Sequence, residues 1–229
     1  MNAMRPASSD NPLAALRQFA RGREIVGAEV CDFCSAGLSD RHQHLIEPEE
    51  RKLICVCEAC AILFGNRGET KYRRVPRRLQ LLIDFRLTDA QWQSLLIPIQ
   101  LAFIFHNSAT RKPIALYPSP AGPTESWLEA VAWAEIVGLN PVLRKMEPDV
   151  EALLINRIGW MGQLGGISSG GSGAHEYYIA PIDECFRLTG LLRAHWRGLS
   201  GGAKVWEEIA CFFTELRERA IVSEEGSCA

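Results

Sequence analysis

Two Cys-x-x-Cys pairs, Cys31/Cys34 and Cys57/Cys60, stand near the start of this 229-residue chain with 22 residues between them. No other feature restricts the possible structures so strongly. Zinc takes four ligands in a tetrahedron, at about 2.3 Å when they are sulfur. A pair on a tight turn places two thiolates on one side of the metal, and a second pair from elsewhere in the chain closes the shell. The spacing therefore implies a structural metal module with Cys31, Cys34, Cys57 and Cys60 as ligands.

The intervening residues suit such a module. Gly37 allows the chain to reverse after the first pair. Leu45-Ile46 and Leu53-Ile54 read as two short strands of a hairpin around residues 47–51. The second pair opens an apolar run at 61–64 that suits a helix turn, and a helix N-terminus favours thiolate charge. Knuckle, hairpin and a pair at a helix start resemble a zinc ribbon or treble clef. A module this small has little core of its own, so metal binding supplies much of its folding free energy.

Two residues compete for ligand roles. Cys55 stands two positions before Cys57, and His44 suits a Cys₃His site or a place behind a ligand. Two complete pairs already satisfy zinc, so the expectation is that Cys55 is a small buried side chain and that His42 and His44 are a solvated pair. Iron in a rubredoxin-like site is the alternative to zinc. The chain lacks the Pro and Gly that usually flank rubredoxin pairs, so zinc is preferred.

Composition sets the frame. Hydrophobic residues are 47% and charged residues 23%, an ordinary globular balance. The net charge of −2 gives no global attraction to nucleic acid or membrane. The longest apolar stretch, 95–105, is far short of the roughly 20 residues of a membrane span. The first residues lack a signal-peptide pattern, so the expected location is the cytoplasm, where thiols stay reduced and clustered cysteines serve metals.

The rest of the chain divides as follows. Residues 1–27 form an N-terminal segment with a short amphipathic helix at 13–23. The metal module covers 28–66 and a basic linker 67–83. An α+β domain covers 84–220 and a disordered tail 221–229. In the domain, Thr88 and Gln91 form a capping box opening a helix to about Ile97. Strands are expected at 99–106, 112–117, 150–158 and 176–182, and helices at 127–137, 183–196 and 204–219. Thr124 or Ser126 caps the first of these helices and Asp183 the second; PSPAGPTES is a loop. Hairpins and helices in this order favour an antiparallel sheet with packed helices.

Other candidate features are weaker. The run KYRRVPRR, residues 71–78, has five positive residues and suits phosphates, an acidic partner or simple solvation. Residues 159–174 hold seven glycines and three serines but neither a phosphate-loop ending nor a dinucleotide fingerprint. His106, His175 and His195 match no catalytic motif. Cys185 and Cys211 fall in expected helices as buried, inert thiols. Asp183, Glu184 and Arg187 suit a helix start with an i,i+3 ion pair.

As a set, CDFC and CEAC, YRRVPRR, DFRLTDAQW, IPIQLAF, ALYPSPAGPTES, PDVEALL and PIDECFRLTGLLRAHWRGLSGG resemble a bacterial family designated only as a domain of unknown function. Its members are often met near genes for uptake nickel-iron hydrogenases. The resemblance implies a zinc-binding, non-enzymatic accessory or maturation protein with a protein partner, such as a hydrogenase subunit or its maturation machinery. It implies no catalytic residue. The alternatives are a nucleic-acid-binding regulator, although no specific nucleic-acid binding is expected, and an electron carrier with iron at the four cysteines.

Overall fold

A computed structural model describes residues 29–65, 71–158, 175–198 and 201–223. The helix expected at 13–23 and the glycine-rich segment at 159–174 lie outside the described residues.

The first unit is built on a hairpin, β1 (Gln43–Glu47) and β2 (Lys52–Val56). Its register pairs Gln43 with Val56, His44 with Cys55 and Leu45 with Ile54. A short helix, α1 (Glu58–Phe64), follows with Cys57 as its N-cap. The basic run does not behave as a linker. Arg73–Arg74 form β3 and pair antiparallel with β1, giving a sheet in the order β2-β1-β3. Val75 next to it is buried in the main core.

The second sheet has seven strands in the order β10-β4-β9-β8-β5-β6-β7. They are β4 (Gln80–Leu82), β5 (Leu101–Asn107), β6 (Lys112–Ser119), β7 (Gly122–Ser126), β8 (Glu151–Asn156), β9 (Glu176–Pro181) and β10 (Ile221–Ser223). All neighbours are antiparallel except the edge pair β10–β4. The fold is α+β, as expected. β10 takes up the start of the segment expected to be a disordered tail.

Both faces of this sheet are covered. Leu101, Phe103, Phe105, Ala152, Leu154, Tyr178 and Ala180 point to one core, against α4 (Ile182–His195) and α5 (Ala203–Arg219). Ala102, Ile104, Leu153, Ile155, Tyr177 and Ile179 point to the other. There they meet Trp92 of α2 (Asp89–Ser94), Ile136 of α3 (Ala130–Leu139) and Leu143 of a 3-10 turn. Every residue of β8 is buried. A strand buried on both faces gains nothing from alternation, which is why the apolar run at 150–158 shows none.

Helix boundaries follow local chemistry. Thr88 and Gln91 form the expected capping box. The helix stops early because Leu96 takes a left-handed φ of 53° just before Ile97-Pro98. PSPAGPTES is a hairpin between β6 and β7, not a loop, with Gly122 at φ 119° providing the left-handed turn residue. Thr124 and Ser126 lie in β7 and cap no helix; the Ser126 hydroxyl donates to the carbonyls of Leu95 and Leu96. Helix α4 has Pro181 at its N-cap, so Asp183 falls in the first turn, free for another partner. Helix α5 buries Val205, Ile209, Phe212, Phe213 and Leu216, the stripe its 3.6-residue period marks out.

Candidate metal centre

The Sγ atoms of Cys31, Cys34, Cys57 and Cys60 converge within 4.8 Å of one another. Cys34 and Cys57 are 3.7 Å apart. The edge of a tetrahedron with metal–sulfur bonds of about 2.3 Å is about 3.8 Å. The four donors therefore already stand at the spacing that a zinc-sized ion requires, and their all-sulfur chemistry suits zinc.

Local backbone structure positions each pair. In the first, Cys31 accepts at its carbonyl from Ser35 N–H and donates its own N–H to Ala36 O, both at 2.8 Å. Ser35 carries the left-handed φ of 57°, so the reversal is made there and not at Gly37. Asp32 clamps this knuckle to the hairpin: its N–H donates to Cys55 O, and its carboxylate accepts from Cys55 N–H at 2.8 Å. In the second pair, the Cys60 N–H points at Cys57 Sγ, 3.5 Å away, because Cys57 caps the helix. Phe33 closes the outside, 4.7 Å from the ring of Phe64 and 5.3 Å from that of Tyr72.

The electrostatics favour bound thiolates. Burial opposes charge on Cys31, but backbone N–H groups of Cys57, Cys34 and Phe33 outweigh it and hold this thiol down to about 6. Cys60 is pushed up to about 12 by burial and by the neighbouring sulfurs. Four sulfurs this close cannot all ionise without a cation. A dication held by these four cysteines would remove that repulsion, and its binding free energy would become folding free energy for the module. Leu45, Ile54 and Val56 are the large aliphatic side chains in the module's own buried cluster, and they are few.

The basic run is committed to internal ion pairs. Lys71 meets Glu47 at 2.9 Å, Arg73 meets the buried Asp149 at 3.3 Å, and Arg74 meets Glu58 at 2.6 Å. Arg78 grips the buried Glu151 with two bonds, of 2.8 and 2.6 Å. Four of the five positive residues thus hold acids of this same chain. The sequence shows the charge but not these partners, which come from 16 to 76 residues away.

Other expected residues resolve as follows. Arg187 pairs with Glu184 at 2.8 Å, the expected i,i+3 contact. Cys185 is buried, and burial pushes its thiol well up, followed by the charges of Asp183 and Glu184. Cys211 is exposed, not buried, because it lies on the outer face of α5. His42 and His44 are not a solvated pair: their side chains are 6% and 21% exposed. They lie with Cys55 in a second tight group, whose potential ligand atoms are all within 4.8 Å of one another.

Fold and site define an α+β protein that carries a module with a four-cysteine cluster of a geometry compatible with a metal ion, docked on one face of a seven-stranded sheet. The chain belongs to the family of unknown function DUF5947, whose family model matches residues 30–220. No curated protein and no solved structure matches it. Among the described residues, no helix is long and apolar enough to cross a membrane.

Proposed function

We propose that this protein is a zinc-binding, non-enzymatic accessory or maturation protein for a metalloenzyme such as a nickel-iron hydrogenase. One observation carries the role of the metal: four cysteine sulfurs converge on one point. Four protein ligands fill a tetrahedral zinc shell and leave no position for substrate, which is the pattern of a structural site. The order of knuckle, hairpin and capped helix supports a zinc-ribbon or treble-clef-like module at about 28–66, with the α+β domain at about 84–220 presenting the partner surface in the cytoplasm. The hydrogenase connection rests on the family resemblance and the gene neighbourhood that goes with it.

Affinity capture of the tagged full-length chain from its native cell, followed by mass spectrometry, tests this reading. Recovery of a hydrogenase subunit or maturation factor, lost on Cys31→Ser, supports it. Recovery of nucleic acid, or of a redox partner together with iron in the protein, replaces it with a regulator or an electron carrier.

A further inference from the structure

We propose that His42, His44 and Cys55 form a second metal site, separate from the four-cysteine centre, that takes a divalent transition cation of the zinc type. The hairpin register makes the site. His44 and Cys55 are direct cross-strand partners. His42 lies two positions before His44, so the period of two places it on the same face. The two imidazole centroids are 4.5 Å apart, and a nitrogen from each ring lies within 4.8 Å of the other and of Cys55 Sγ. This face is the one turned toward the α+β domain, where Ile46 joins the main core.

The hydrogen bonds prepare both rings as ligands. His42 Nδ1 is 3.0 Å from Ser39 O and 3.4 Å from a Glu29 carboxylate oxygen. His44 Nδ1 is 2.8 Å from Asp183 Oδ2. Carbonyls and carboxylates accept only, so Nδ1 is the protonated nitrogen in each ring. In the neutral ring, the form that binds a metal, Nε2 then carries the lone pair. A metal-bound histidine commonly shows this arrangement, its other nitrogen held by a carbonyl or carboxylate. His42 Nε2 is buried and has no hydrogen-bond partner among the described residues. Buried polar atoms are nearly always satisfied, and a cation shared with His44 and Cys55 would satisfy this one.

Two imidazoles and one thiolate suit zinc and its cobalt, nickel and copper neighbours rather than calcium or magnesium. Three protein donors occupy three of four tetrahedral positions, so this site, unlike the four-thiolate one, has a position left for water or an outside ligand. Asp183, from the first turn of α4, orients His44 from behind and makes the site a junction between module and domain.

The test uses the full chain with its four-cysteine centre zinc-filled, titrated with Co(II) alone. One further equivalent of cobalt is expected, with a tetrahedral ligand-field spectrum and a thiolate-to-cobalt charge-transfer band, while zinc stays at one per chain. Cys55→Ser should remove the charge-transfer band, His42→Ala should abolish the second equivalent, and Asp183→Asn should weaken it about 10- to 100-fold. Since His42→Ala also changes a buried position, long-range nitrogen–proton spectra of the unmodified chain give an independent readout. Zinc addition should shift Nε2 of His42 and His44 and leave their Nδ1 protons in place. Failure to take up a second equivalent overturns the proposal. So does a second equivalent that leaves both imidazoles unshifted or keeps its charge-transfer band in Cys55→Ser. Either result leaves the four-cysteine reading standing.

Discussion

His44 Nδ1 lies 2.8 Å from Asp183 Oδ2, joining two residues 139 positions apart. One is in the module's hairpin and the other in the first turn of a domain helix. Asp183→Ala removes the acceptor and leaves a half-buried imidazole N–H without it. The expected cost is about 1–3 kcal/mol. Amide hydrogen exchange should speed up in Gln43–Glu47 more than in the seven-stranded sheet. Uniform exchange across both units would show that the contact does not tie them together.

Cys31→Ser and Cys60→Ser are each expected to release the metal of the four-cysteine centre and unfold the module. Each removes one of four mutually close sulfurs, and binding free energy there is folding free energy. Cys55→Ser should keep that metal, because Cys55 lies on the opposite face of β2 from Ile54 and Val56, which line the module's cluster. Metal analysis with circular dichroism decides. Loss in Cys55→Ser with retention in Cys57→Ser would exchange their roles.

A strong chelator should strip the module selectively. Seven strands and two covered faces hold the domain without metal, whereas the module buries few large side chains. Two melting transitions are expected after chelation, the early one restored by zinc. Metal analysis of the untreated protein should find zinc and no visible absorption; a coloured iron protein would promote the electron-carrier reading.

Arg78→Ala is expected to destabilise the domain by about 1–3 kcal/mol, since it leaves the Glu151 carboxylate buried with fewer donors. Glu151 is 2% exposed at its side chain, and the Glu147 N–H is its remaining donor among the described residues. Arg77→Ala, at the neighbouring position, should cost less than about 0.5 kcal/mol, as ordinary surface changes do. Denaturant midpoints measured side by side test the contrast.

Specific nucleic-acid binding is not expected. Lys71, Arg73, Arg74 and Arg78 face acids of the chain itself, so releasing them to phosphates would break those pairs. Any attraction at low salt should fall steeply as salt rises. Tight, sequence-dependent binding at physiological ionic strength, abolished by replacing Arg73, Arg74, Arg77 and Arg78, would reverse this expectation.

Much of this was legible in the residues. The convergence of Cys31, Cys34, Cys57 and Cys60 follows from their spacing, because two pairs on tight turns are a local feature. The capping box at Thr88 and Gln91 and the apolar stripe of Ala203–Arg219 are likewise written in periods of a few residues. So, in principle, was the second group: a hairpin turning at 47–51 already pairs His44 with Cys55, and His42 follows by alternation. What the residues alone did not decide is what each side chain meets from far along the chain. Asp183 looked like a helix cap and became the partner of His44. The basic run looked like a linker and became a short strand whose arginines neutralise Asp149 and Glu58, followed by Arg78, which neutralises Glu151. PSPAGPTES looked like a loop and became an edge hairpin. Turns, caps and metal knuckles are short-range and depend on residue type, whereas burial and charge pairing are settled only when the layers close on one another.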